Sequence, residues 1–456
     1  MAVVFSLCAA YVAYCLVSNP AGPFTTPDSF HYLNTSPIVP LGYPFFLKVF
    51  GARGAMLAQP LLFGSALAFL GSEIVRLTRS TLLAVIVLVG CMALPQIRDY
   101  HASILSESLF LTLLIVFLGF AVRFAYHPTW HLMVLVATTV GLSATVRRTG
   151  FALVPVMLVM VLLERYRLKG SQPALFFVAA IAPFLVVIGA EQLAAPLVHA
   201  GKSSSLMGRH MFAKAALLDA PPAPPSSDPI RSALDAHLQT DYAPIRQFLA
   251  SAPRDIRGVL SMYYETCLQG GCADRSRALM PDAGESVQTE TMGHAATSRI
   301  WRAPAAFLDL LLMNYQALWT VERLRHPDRA PELTAFVAAH RPMPFEKMAF
   351  SLEPEHVMEF TASPRVRYAQ IAISALAFWT GAIAVVGLAG IFFASRVPRP
   401  LAIAAVSALA AHGGLLLTAG LAAGFSRFTL GLWPAIVTAA AFGAWACVSS
   451  GRPTAR

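Results

Sequence analysis

Apolar residues in this chain come in long unbroken runs, not in the one-sided stripes of a soluble helical protein. The runs fall at about 1–17, 55–75, 80–95, 104–122, 131–146, 150–164, 173–197, 368–394, 400–422 and 428–449. A helix needs about 20 apolar residues to cross some 30 Å of hydrocarbon, and several of these runs are nearer to 15. The pattern predicts an all-α polytopic membrane protein with about ten transmembrane helices. Runs 131–146 and 150–164 read either as two short spans or as one kinked helix. Two spans are preferred, because a single helix would hold Arg147 and Arg148 in mid-bilayer. Between 197 and 368 the pattern changes to a polar stretch that carries most of the chain's 24 acidic residues. Its Pro-rich patch, Ala220 to Pro229, reads as a linker or an ordered loop. Segments near 230–265 and 303–322 have helical spacing. Three parts are expected: a module of about seven spans over 1–197 with a first outer loop at 18–54, a mostly helical insert over 198–366, and a module of about three spans over 367–456. No internal repeat is visible.

Composition agrees with a membrane protein. Hydrophobic residues make up 56% of the chain and charged ones 13%, more apolar surface than a soluble fold can hide. The net charge of +10 raises the question of nucleic acid, but the basic residues sit mainly between apolar runs, where topology accounts for them, so no nucleic-acid partner is expected. With the N-terminus in the cytoplasm, the inner side holds ten basic residues and the short outer loops six, which is the favoured bias. The insert then lies outside the cell membrane. Arginine far outnumbers lysine and alanine is abundant, as in GC-rich bacterial genomes, so the expected place is a bacterial inner membrane, multi-pass, with membrane lipids as partners. The first run lacks a basic n-region and an A-x-A-like cleavage site and is expected to remain as a helix. Cys8, Cys15, Cys91 and Cys447 fall in apolar runs and are expected to pack there. Cys267 and Cys272, in the insert, read as a small disulfide or as two free thiols.

Charges close to membrane depth are costly and mark candidate chemistry. Asp28 follows the first apolar run in a segment, Pro27 to Pro44, that also holds His31, Tyr32 and Tyr43. It reads as a reactive carboxylate or as a turn and helix-capping aspartate. Glu107 opens the fourth run, where it can be functional or can simply favour a helix N-terminus, with Ser106 as cap. Asp99 and His101 share the short loop before it. Arg147 and Arg148 lie between two short spans, where paired guanidinium groups can bind a phosphate or reach lipid headgroups. Arg427 stands at the start of the last span. His412 reads as a packed polar group beside Gly413 and Gly414, and Arg209, His210 and Lys214 open the insert. No Walker-type loop, Gly-x-Ser-x-Gly elbow, His-Glu-x-x-His or other metal-ligand spacing occurs, so neither a metal site nor a cofactor is expected, though a divalent ion stays open.

Four of these places resemble motifs of the GT-C glycosyltransferases, the bacterial relatives of protein O-mannosyltransferases and the lipid A aminoarabinose transferase. Asp28 and Tyr32 stand as that family's Asp-x-x-x-Tyr, and Pro40-Leu41-Gly42-Tyr43-Pro44 as its Pro-Gly-Tyr-Pro-like stretch, at a shorter spacing than usual. Ser106-Glu107-Ser108-Leu109 matches its Ser/Thr-(Glu or Asp)-x-Leu. Leu142 to Gly150 is similar to its Gly-Leu-x-x-x-x-(Arg/Lys)-x-(Thr/Pro)-Gly stretch. Arg427 to Pro434 is similar to its Arg-Tyr-x-x-Pro-x-x-Pro, with Phe428 for the tyrosine and Gly431 where a proline is common. The layout of seven spans, a large outer loop and a few more spans is also shared.

The resemblance implies a GT-C-like fold and an enzyme that moves a sugar from a polyprenyl-phosphate donor to a periplasmic-face acceptor: an envelope glycan, lipid or protein. Asp28 would be the catalytic base and Glu107 a second active-site acid. Arg147, Arg148 and Arg427 would bind the donor phosphate, and His31, Tyr32, Tyr43, Asp99 and His101 would contact substrate. A single displacement would invert the anomeric centre. The rival readings are an O-antigen ligase or polymerase, a secondary transporter, and a structural partner in an envelope complex.

Overall fold

The computed structural model describes residues 1–19, 22–164, 172–199, 207–224, 228–252, 257–258, 261–262, 265, 273–319, 364–393, 397–421 and 427–450. Cys267 and Cys272 lie outside them. Among the described residues there is no strand, only an isolated parallel bridge between Phe24 and Ser103. By packing, the chain divides into two compact units: Met1–Lys202 with Leu376–Gly414 and Leu430–Arg456, and Ser203–Ala375 with Leu415–Thr429.

The first unit begins with α1 (Ala2–Val17), the short α2 (Pro27–Leu33), α3 (Gly42–Thr78), α4 (Thr81–Met92), α5 (Pro95–His101), α6 (Glu107–Tyr126) and α7 (Trp130–Val146). A 3-10 turn at Arg148–Ala152, α8 (Leu153–Glu164) and α9 (Gln172–Val198) follow. Helix starts obey local chemistry. Ser80 accepts from the Leu83 N–H and Thr129 from the Leu132 N–H, while Pro27 and Pro95 occupy first-turn positions where a missing N–H costs nothing. The longest helix, α3, departs from the sequence reading. It begins at Gly42, so Lys48 and Arg53, expected in the outer loop 18–54, are carried on helix. Pro44 in its first turn is compatible with that start, and Gly51 (φ 67°) breaks it into two pieces, the second of which holds the predicted apolar run.

Close helix crossings explain part of the glycine usage. A Cβ on Gly64 would meet the Val12 side chain at 2.2 Å, and one on Gly71 would meet Val4 at 2.8 Å, so α1 and α3 approach where a side chain is missing. Between α7 and α8 the backbone breaks at Arg147 (φ −152°, ψ 129°), giving two helices and not one kinked helix.

Among the described residues, five helical stretches are long and apolar enough to cross a membrane: Gly42–Thr78, Glu107–Tyr126, Ala174–Val198, Ile371–Phe393 and Arg399–Gly420. Thr81–Met92 and Pro95–His101, bent by 67°, make a sixth if they are one broken span. Ala2–Val17, Trp130–Val146, Arg148–Leu163 and Trp433–Ser449 are apolar but shorter. Together these segments occupy the ten predicted runs. Cys8, Cys15 and Cys91 are buried, whereas Cys447 is exposed.

The second unit contains helices Met207–Ala216, Pro229–Thr240, Ala243–Ser251, Glu285–Arg302 and Pro304–Ala317. Glu285–Arg302 is too polar for the apolar pattern to announce it. Its Arg299 is fully enclosed and donates to the Ala215 and Leu218 carbonyls and to Gln239 Oε1, tying three helices together.

Candidate functional site

The site is built in the first unit, where the Asp28 segment meets the start of α6. Phe24 N–H donates to the Ala102 carbonyl at 2.8 Å, and Ile104 N–H returns the bond to Phe24 O at 3.0 Å. The buried Ser29 hydroxyl accepts from Thr26 N–H and donates to the Ile104 carbonyl at 2.9 Å. These bonds lash α2 to the loop that leads into Glu107. Beyond α2, Thr35 (φ 49°) turns the chain, and Ser36 N–H reaches back to the His31 carbonyl. Asp28 is half-buried in the first turn of α2, where a carboxylate complements the helix N-terminus.

Tyr32 carries the connection inward. Its hydroxyl lies 2.9 Å from Ser106 Oγ, which also accepts from Arg147 at 3.3 Å. The same Arg147 nitrogen lies 3.0 Å from Glu107 Oε1, and Glu107 is 1% exposed. Ser106 occupies the N-cap position of α6, yet its hydroxyl faces Tyr32 and Arg147 and makes no cap. That corrects the simple capping role expected of it. Burial, and secondly the Glu107 carboxylate, push the Tyr32 phenol above its ordinary range; Arg147 and the Ser106 hydrogen bond oppose them, and Asp28 adds to the rise.

The other candidates are placed around this line. Tyr43 is fully buried, edge-on to Tyr32 with ring centres 5.0 Å apart. Its hydroxyl donates to Gln59, which in turn donates to the His101 and Ser103 carbonyls. Tyr43 therefore braces Tyr32 from behind. His101 is also enclosed, with Nδ1 2.7 Å from Ser108 Oγ and its ring against Phe63 and Tyr11. His31 sits beside Phe30 on α2. Asp99 is more than half exposed and pairs with Arg98. Arg148 turns away from Arg147 and donates to Glu191 at 2.9 Å, with half of its side chain exposed. Arg427 begins a short helix, Arg427–Gly431; its side chain lies outside the described residues.

Glu191 was not singled out from the sequence. It is the one acid of α9, a helix most of whose apolar residues are not buried, yet Glu191 itself is buried. Its Oε2 accepts from Arg148 and its Oε1 from Leu41 N–H at 3.1 Å. It thus pins the Pro40–Pro44 turn to the 3-10 segment after α7. The signal was available: a single carboxylate in a long apolar helix needs a partner. Gln59 carried no comparable signal, and Ser106 stood out only as a cap candidate and motif residue. Gly42 and Gly150 also hold the arrangement closed, since a Cβ on either would meet backbone of α7 within 3 Å.

The cluster combines a half-buried carboxylate, a phenol, and a buried carboxylate already neutralised by a guanidinium. Such a set can move a proton at Asp28 and meet an anion at Arg148. Among the described residues no three His, Cys, Asp or Glu side chains gather as a metal site requires.

No family model matches this sequence, and no curated protein does. Among solved structures the chain is similar to ArnT from Cupriavidus metallidurans, a crystal structure bound to undecaprenyl phosphate, at 12% identity over 98% of this chain and 79% of that one. The TM-score is 0.36, a likeness too distant to decide fold or chemistry.

Proposed function

We propose that this protein is an integral-membrane glycosyltransferase of the GT-C type. It transfers a sugar from a polyprenyl-phosphate carrier to a hydroxyl of an envelope glycan, lipid or protein, on the periplasmic face of a bacterial inner membrane. The reading is supported by the sequence resemblance at Asp28, Glu107, Arg147 and Arg427. The observation that carries it is the joining of the Asp28 helix, through Tyr32 and Ser106, to the Glu107–Arg147 pair.

In this reading Asp28 accepts the proton of the acceptor hydroxyl as its oxygen attacks the anomeric carbon. The bond to the carrier phosphate breaks on the opposite face, so the product is inverted. Arg148 is the strongest candidate for the leaving phosphate: one nitrogen is held by Glu191 while half of the side chain is exposed. Its charge then meets an anion whose own charge grows as the bond breaks. Arg147 is engaged by Glu107 and Ser106 on the Tyr32 side of the site, where Glu107 orients it. Arg427 stays a phosphate-binding candidate on the sequence resemblance alone.

Asp28→Asn tests the proposal. It keeps the shape of the side chain and removes the basic oxygen, so transfer to the envelope acceptor falls about 10²–10⁴-fold while the melting temperature is unchanged. The assay is sugar transfer in a strain lacking the native copy. Full complementation by Asp28→Asn sinks the mechanism and favours the transporter or scaffold readings.

A further inference from the structure

A second site lies at the far ends of the same helices. The 20 residues of α6 span about 30 Å, so its C-terminal turn is a membrane thickness away from Glu107. There, the ends of α3 and α6 and the start of α7 enclose an open cavity of about 490 Å³, within the usual ~300–1,000 Å³ range of ligand pockets. Arg76, Arg79, Arg123, His127 and His131 line it.

The charge there is not balanced. Glu73 is buried, with Arg76 at 2.7 Å and Arg123 at 3.9 Å, so one carboxylate serves two guanidinium groups. Arg79 has no ion-pair partner among the described residues. It is exposed, at the left-handed C-cap of α3 (φ 60°), which directs the chain away and leaves its side chain at the cavity rim. A polar mouth also meets an apolar side. Leu77, Leu132 and Leu135 line the cavity, and Leu135 is 49% exposed. Trp130, stacked on His131 at 3.5 Å, is itself exposed, as aromatic residues are at a membrane interface.

We propose that this cavity binds the phosphate headgroup of an anionic membrane lipid, with the arginines holding the phosphate and the leucines meeting the start of the acyl chains. Basic pockets between membrane helices suit such headgroups, whereas a free phosphate would gain nothing from the apolar side. The site is independent of the transfer reaction proposed above.

The test titrates the purified full-length protein with phosphatidylglycerol, phosphatidylcholine and inorganic phosphate, reading bound lipid by native mass spectrometry and phosphate by its displacement of lipid. Wild type is expected to hold phosphatidylglycerol at least 10-fold more tightly than phosphatidylcholine. Arg79→Asn suits the left-handed backbone and should fold normally. It should lose roughly 5-fold, and Arg79→Asn with Arg123→Gln about 30-fold, of the phosphatidylglycerol affinity. Equal affinity for the two lipids, or an unchanged affinity in both variants, overturns the proposal. Inorganic phosphate binding as tightly as phosphatidylglycerol, and lost in the variants, overturns the lipid as occupant and leaves a site for a soluble phosphate.

Discussion

Two buried ion pairs in this chain have different surroundings. Lys214 and Glu265 lie 2.6 Å apart, 1% and 0% exposed, in the second unit. The other Glu265 oxygen accepts from Asn314, whose own oxygen accepts from Ser261. That network is closed: every charge is answered inside the protein. Arg147 and Glu107 lie 3.0 Å apart in the first unit, 13% and 1% exposed, and the site around them is not closed. Asp28 is half-buried on the adjoining helix, and the next residue, Arg148, is 51% exposed. A guanidinium that reaches solvent can exchange part of its hydrogen bonding for an incoming anion without leaving a carboxylate stranded. A closed network can only lose by such an exchange. The open arrangement suits a reaction and the closed one a scaffold.

Substitutions can separate the two roles. The largest effect on stability should come from Lys214→Met, which leaves the Glu265 carboxylate buried without its cation. A broken buried pair costs about 3–5 kcal/mol, to be read as a lowered melting temperature of the purified protein. Adding Glu265→Leu should recover much of the loss. If Lys214→Met melts like wild type, the contrast between closed and open pairs fails. Asp28→Asn is its mirror image, with activity lost and melting unchanged.

Arg148→Ala should act chiefly on binding. Loss of a charge-assisted contact is worth roughly 1.5–3 kcal/mol, so affinity for the polyprenyl-phosphate donor should fall about 10- to 150-fold. A donor titration with wild-type affinity would move the phosphate site away from this arginine. Because Glu191 retains the Leu41 N–H, the accompanying loss of stability should be smaller than that of Lys214→Met.

The mildest test is Tyr32→Phe. It removes one hydrogen bond, to Ser106, and keeps the ring against Tyr43. At about 0.5–1.5 kcal/mol, transfer should fall roughly two- to twelve-fold. A loss as large as that of Asp28→Asn would give Tyr32 a direct part in the reaction.

The all-helical architecture and the places of the apolar segments were legible in the sequence, because burial in hydrocarbon demands unbroken runs that composition alone reveals. The break at Arg147 was legible for the same reason: two guanidinium groups are too costly inside one spanning helix. So were Asp28, Tyr32, Glu107 and Arg147 as candidates, since charged and aromatic residues next to apolar runs stand out. Their connections were not. That Ser106 joins Tyr32 to Arg147, that Arg148 turns to Glu191, and that His101 packs among aromatics depend on how α2, α6, α7 and α9 meet. These contacts bridge residues up to 150 apart in sequence, as between Leu41 and Glu191. The early start of α3 was hidden as well, because Lys48 and Arg53 look like loop residues until a helix carries them. Local pattern determined which segments must leave water. Only the tertiary packing decided which polar groups answer one another, because a hydrogen bond depends on distance in space and leaves no periodic mark along the chain.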